Sequence, residues 1–184
     1  MKVLVVVDMQ NDFITGSLGS PAAQAIVPNV KKKIDEFVKN GDWIIYTRDT
    51  HFKDYLNSRE GKKLPVEHCV YGTMGWRIPA GLIPPVTYEN FLVYDKYTFG
   101  DPGLATLIRE TLLDAGVYSD CDEIELVGLC TDICVVSNAL LLKGEFYEDM
   151  EISVDATCCA GVTPETHEAA LKTMTMCQIN IKRG

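Results

Sequence analysis

Cations are in short supply in this chain. Lysine and arginine total 17 against 26 aspartates and glutamates, a formal net charge of -9. A nucleic-acid surface needs a basic face, so that class of partner is not expected. Long apolar runs are missing too. None approaches the roughly 20 residues of a membrane-spanning helix. Met1-Lys2-Val3 leads straight into an apolar stretch rather than into a charged, then apolar, then small-residue leader. No membrane partner is expected. Cysteine is not rare, at seven residues, but the paired spacings of a zinc ribbon or a disulfide framework are absent. A reducing cytoplasm is the simpler home. No repeat, low-complexity tract or linker divides the sequence. With 47% hydrophobic residues, residues 1–184 can bury one full core, and a single domain is expected.

What is present is an alternation of apolar runs with helix-compatible segments. Val3 to Val7 is unbroken aliphatic, as in a strand buried on both faces of a parallel sheet. Ser20-Pro21 opens a helix reaching about Lys39, stopped by Asn40-Gly41. Trp43 to Thr47 reads as a second strand, Phe91 to Tyr94 as a third, and Ile124 to Val127 as a fourth. Ile152 to Val154 and Gln178 to Ile181 complete six. Helices are expected over Pro102–Ala115, Val135–Lys143 and from Pro164 to about Met176. Right-handed crossovers then give a three-layer αβα, doubly wound, mainly parallel six-stranded sheet of Rossmann-like type.

The chemistry gathers at strand ends. Val127-Gly128-Leu129-Cys130-Thr131-Asp132-Ile133-Cys134-Val135 passes from strand to helix. It carries a Thr-Asp pair of the kind that caps helix starts and a cysteine in the first turn. A helix N-terminus favours a thiolate, which makes Cys134 a candidate nucleophile with a lowered pKa. Taken alone, a small buried hydrophobe is the commoner reading of such a cysteine. Asp8 follows the first strand and Lys96 the third, each with a bland reading as turn former or solvated boundary residue. In a parallel sheet, however, all of these sit at the carboxyl edge where ligand crevices form. An acid, a lysine and a thiol brought together there make a proton acceptor, a counter-charge and a nucleophile. Residues 48–86 form a long irregular stretch holding Asp49, His51, Glu60 and His68. Two imidazoles with one or two carboxylates suit a mid-series divalent ion such as zinc, manganese or iron.

Taken in order, Asp8-Met9-Gln10-Asn11-Asp12-Phe13, Thr47-Arg48-Asp49-Thr50-His51, His68-Cys69-Val70, Lys96 and Gly128 through Val135 resemble the isochorismatase-like cysteine hydrolases, and within them the nicotinamidase/pyrazinamidase-like group. The resemblance covers nearly the whole chain. It implies a catalytic triad of Asp8, Lys96 and Cys134, and an oxyanion hole from the backbone N–H groups of Cys130 and Cys134. It also implies a divalent metal, zinc first, on Asp49, His51, Glu60 and His68, and a substrate pocket including Phe13 and Leu129. The implied reaction is hydrolysis of a small amide, nicotinamide to nicotinate and ammonia, by a self-associating enzyme of NAD salvage. The peptide bond Leu129–Cys130 is implied to be cis. Two segments depart from the group's pattern. Tyr97-Thr98-Phe99-Gly100 replaces a Tyr-Ser-containing segment, and the tryptophan common before the second metal histidine is absent. A related cysteine hydrolase of another small amide or ureido compound is the nearest rival. A thiol redox or regulatory protein using Cys130 and Cys134 is the rival of another class.

Overall fold

A computed structural model describes residues 1–184. Its frame is six strands: β1 (Lys2–Val7), β2 (Trp43–Asp49), β3 (Phe91–Lys96), β4 (Glu123–Leu129), β5 (Glu151–Ala160) and β6 (Asn180–Lys182). They pair in the order β3-β2-β1-β4-β5-β6, and every neighbouring pair is parallel. The helices are α1 (Asn11–Ile14), α2 (Pro21–Asn40), α3 (Pro102–Asp114), α4 (Val136–Glu145) and α5 (Pro164–Met176). No helix is long and apolar enough to cross a membrane.

The aliphatic run in β1 is buried on both faces, and its residues divide by parity as a two-residue period requires. Val3, Val5 and Val7 join the core built with α3, α4 and α5, whereas Leu4 and Val6 join the core built with α2. Each helix presents one apolar stripe to its face of the sheet. In α2 that stripe is Ala23, Ile26, Val30, Ile34 and Phe37. Ser20 caps this helix by accepting from Ala23 N at 3.0 Å, and Gly41 at φ 76° ends it.

Several boundaries differ from expectation for identifiable reasons. β2 and β3 run two residues further, to Asp49 and Lys96, which are register partners. The bidentate pair between Arg48 and Asp95 helps hold this extension, at 2.6 and 3.0 Å. β5 continues through Ala160 as β4 carries its pairing past a register shift between Leu126 and Gly128. The short helix α1 has no counterpart in the sequence reading. The Thr-Asp pair does not cap its own helix: Cys130 is the N-cap residue, without a side-chain cap bond, and a π-helical turn covers Thr131–Val135 before α4. Thr131 bonds His167 Nδ1 at 2.8 Å, and Asp132 accepts from Val162 N at 3.0 Å and from Thr166. Both side chains therefore tie the turn to the start of α5, which displaces local capping.

The chain lays β1, β2 and β3 outward on one side, then crosses back to place β4 on the other side of β1. The crevice between β1 and β4 is thus the topological switch point, where ligands of open α/β sheets bind. Gly128 permits close approach of the two strands there. Its φ is +120°, and a Cβ would meet Val7 O at 2.1 Å.

Candidate active site

Asp8 sits one residue past β1 with φ 48°, fully buried. Its Oδ1 accepts from Thr47 Oγ1 at 2.6 Å, while its Oδ2 lies 2.7 Å from Lys96 Nζ without forming a well-aligned hydrogen bond. Lys96, the last residue of β3, is also fully buried. Its ammonium lies 3.6 Å from Cys134 Sγ, 3.1 Å from Thr98 O and 3.8 Å from Asp49 Oδ1. Cys134 stands in the π-turn at the start of α4 and is 6% exposed. The three residues expected to converge from distant parts of the chain are therefore in one buried group.

Their electrostatics follow from burial first. Burial pushes the Asp8 carboxyl above the ordinary carboxylate range; Lys96 opposes this, and the charge on Asp49 adds to it. Burial, and next the Asp8 charge, push the Cys134 thiol well above its usual value against the pull of Lys96. The expectation of a lowered thiol pKa is corrected here. One helix start cannot offset full desolvation beside a carboxylate. Burial works to lower the Lys96 pKa, but Asp8, Cys134 and Asp49 outweigh it and raise it. At neutral pH the group holds a charged lysine and a protonated thiol.

Asp49 extends this group to a second cluster. His51 Nε2 lies 2.9 Å from Asp49 Oδ2, and His68 Nε2 lies 3.4 Å from it. Asp49, His51 and His68 each offer a ligand atom, all within 4.8 Å of one another. Glu60 Oε1 stands 3.7 Å from His51 Nε2 and 3.8 Å from His68 Nε2. His68 Nδ1 lies 2.8 Å from Val66 O, so that nitrogen donates there and Nε2 is the one turned to the cluster. His51 Nε2 is buried and hydrogen-bonded to nothing. Such an orphan, with imidazole nitrogens and carboxylate oxygens gathered around one point, fits a divalent cation. Burial works to raise the Asp49 pKa, but the two imidazoles and Lys96 hold it below the usual carboxylate range.

Both clusters open on a cavity of about 310 Å³. Phe13, Leu129, Cys130 and Cys134 line it, together with Asp49, Glu60 and His68. The Phe13 ring lies 5.5 Å from that of His68, tilted by 56°. The Leu129–Cys130 peptide bond is cis. Trp76 is not on the cavity wall; its Nε1 donates to Thr50 Oγ1 at 2.9 Å, and Arg48 lies over its ring at 3.6 Å.

Three supporting residues were given no role of their own in the sequence reading. Gln10 Oε1 accepts from Asp49 N at 2.8 Å, while its Nε2 donates to Asp49 O at 2.9 Å and Trp76 O at 2.8 Å. Tyr55 packs its ring against those of His51 and His68, at 4.6 and 4.9 Å. Thr47 orients Asp8. Only Thr47 carried a signal, since it ends the strand expected from the sequence and so falls beside the end of β1.

A doubly wound parallel sheet with an acid–lysine–thiol group and a metal-type cluster at its carboxyl edge is the arrangement that the resemblance to the isochorismatase-like cysteine hydrolases implies. The chain belongs to the isochorismatase family, whose domain model matches residues 2–182. It is 28% identical over 200 residues to a nicotinamidase/pyrazinamidase of Mycobacterium tuberculosis, covering 98% of each chain. Among solved structures it superposes on a nicotinamidase/pyrazinamidase of Bacillus subtilis with a TM-score of 0.81 at 24% identity, covering 100% of both chains. A Pyrococcus horikoshii pyrazinamidase in complex with zinc gives 0.78 at 26% identity, over 100% of this chain and 99% of that one.

Proposed function

We propose that this chain, as one domain over residues 1–184, is an amidohydrolase that converts a small amide, nicotinamide first among candidates, to its acid and ammonia. The observation that carries the reading is the position of Lys96 Nζ, 2.7 Å from Asp8 Oδ2 and 3.6 Å from Cys134 Sγ in a buried group. The names of the relatives supply the substrate class.

Asp8 takes the thiol proton as Cys134 Sγ attacks the amide carbonyl carbon. Because the thiol pKa is high at rest, proton loss and attack go together, and Lys96 holds the negative charge that moves between sulfur and carboxylate. The backbone N–H groups of Cys130 and Cys134 receive the developing oxyanion; one such donor is typically worth about a hundredfold or more in rate. Collapse breaks the C–N bond, Asp8 returns its proton to the departing ammonia, and a thioester remains on Cys134. Asp8 then deprotonates a water that attacks the thioester. The acid leaves and the proton returns to sulfur, so one amide and one water give one acid and one ammonia.

Asp49, His51, His68 and Glu60 would hold a divalent ion, with zinc favoured by the imidazole share and manganese or iron as alternatives. When bound, the ion supplies a Lewis-acid anchor for a ring nitrogen. Phe13 and Leu129 supply apolar surface against the ring. The same reading places the protein in a reducing cytoplasm, in NAD salvage and as a homo-oligomer. Ammonia release by the purified protein from nicotinamide and a panel of small amides is the test. Cys134→Ala should abolish it while leaving the circular dichroism spectrum unchanged. Turnover retained by that variant removes the mechanism.

A further inference from the structure

The cavity grades from a polar floor to an apolar mouth. Its floor groups are buried: Asp49 is 3% exposed, His68 2% and Cys134 6%. Its mouth is formed by Leu64 at 38%, Phe99 at 46% and Val162 at 64% exposed. These three come from separate segments: the irregular stretch before His68, the loop after β3 and the loop after β5. Asp132 fixes the third by accepting from Val162 N. Three large apolar side chains left in water around one opening are a cost unless something covers them. The opening leads directly to the reacting group, so the occupant best matched to it is part of the substrate.

Charge narrows the class further. No lysine or arginine lines the cavity, while Asp49 and Glu60 do. The one buried cation beside it, Lys96, is already flanked by Asp8, Asp49 and Cys134. At the mouth, away from the metal ligands, a carboxylate on the substrate would lose hydration against Leu64, Phe99 and Val162 with no cationic side chain to pair with. The volume of about 310 Å³ also stands at the lower bound of pockets for drug-sized ligands, roughly 300–1,000 Å³, more than a lone pyridine ring fills.

We propose that the preferred substrate is a neutral aromatic carboxamide carrying an apolar substituent on the side of the ring away from the amide, the substituent being covered by Leu64, Phe99 and Val162. This deepens the amidohydrolase reading and rests on it. A carboxamide seated toward Cys134, with its ring beside Phe13 and His68, directs its opposite ring edge to the mouth.

The experiment is a comparison of kcat/KM by ammonia release for nicotinamide, a 5-propylnicotinamide and a ring-carboxylated nicotinamide. A buried methylene is worth about fourfold in binding. With the mouth half open to water, the propyl compound is expected to exceed nicotinamide by about tenfold. The carboxylated compound should fall at least tenfold below nicotinamide. In Phe99→Ala, and separately in Val162→Ser, the advantage of the propyl compound should shrink by about threefold or more, with thermal unfolding showing that the variants fold. Equal or better turnover of nicotinamide over the propyl compound overturns the proposal and leaves the amidohydrolase reading standing. Preference for the carboxylated compound also overturns it and points to Arg59 and Lys63, which line a neighbouring groove beyond Glu60 and Phe99. Ammonia from none of the three sinks both.

Discussion

Lys96→Met is the most informative single change, because it tests the buried group through stability and rate together. The lysine side chain is 0% exposed and lies between Asp8 at 2.7 Å and Asp49 at 3.8 Å. Methionine matches much of its volume, so the loss is chiefly one of charge. Removing one partner of a buried ion pair costs about 3–5 kcal/mol, since the remaining charge is left uncompensated. At about 2–4 °C per kcal/mol for a chain of this size, the melting temperature at pH 8 should fall by roughly 6–20 °C. The pH dependence gives the sign. The Asp8 carboxyl already titrates above the ordinary range because of burial, with Lys96 pulling it down; without the lysine it moves higher. A carboxyl with a raised folded pKa destabilises the fold above that pKa and loses this penalty as protonation proceeds on acidification. The difference between wild type and variant should therefore be largest at pH 8 and shrink toward pH 5. Denaturant unfolding at both pH values reads it, and turnover should drop at least a hundredfold through loss of a working base. A stability deficit of equal size at pH 5 and pH 8, or a variant that still releases ammonia at near the wild-type rate, refutes the reasoning.

Other outcomes follow from the same geometry. Thr47→Val removes a 2.6 Å hydrogen bond to the Asp8 carboxylate. Bonds to charged groups are worth about 1.5–3 kcal/mol, so the acidic limb of the kcat/KM profile should move up by about one pH unit or more. In the wild type that limb falls as pH drops through the raised Asp8 pKa; a limb unmoved by the variant would count against Asp8 as the base. His51→Ala and His68→Ala should each reduce bound divalent metal to under about a tenth of wild type by elemental analysis, since removing one of so few ligands reopens the site to water. Unchanged metal content would place the ion elsewhere. Gly128→Ala puts a Cβ 2.1 Å from Val7 O at a φ of +120°. It should destabilise by roughly 2–5 kcal/mol in urea unfolding, and a neutral result would mean that β1 and β4 separate more easily than the close approach implies.

Which of these sites could be read in advance depends on what fixed them. The strands were legible because burial on two faces demands unbroken aliphatic runs, and Val3 to Val7 has no other use. The convergence of Asp8, Lys96 and Cys134 was legible for a related reason: parallel pairing places all strand carboxyl ends on one edge whatever their separation in sequence. Contacts set by the irregular stretch were not. Nothing local marks Gln10 as the bridge from Asp49 to Trp76, or Tyr55 as the ring against two imidazoles. Each is defined by where a loop without periodicity is laid down. The Thr131-Asp132 pair shows the same limit from the other side. Its residue types fit a cap, and the sequence offers no view of α5, whose arrival gives both side chains better partners. The thiol pKa failed likewise, because a helix start is visible in a sequence and desolvation is not. The burial that holds Cys134 protonated at rest is the same burial that gives Asp8 a raised pKa and so makes it a stronger proton acceptor at neutral pH. A group poised in this way follows from the closing of the fold over charged strand ends, and no residue in it carries that property alone.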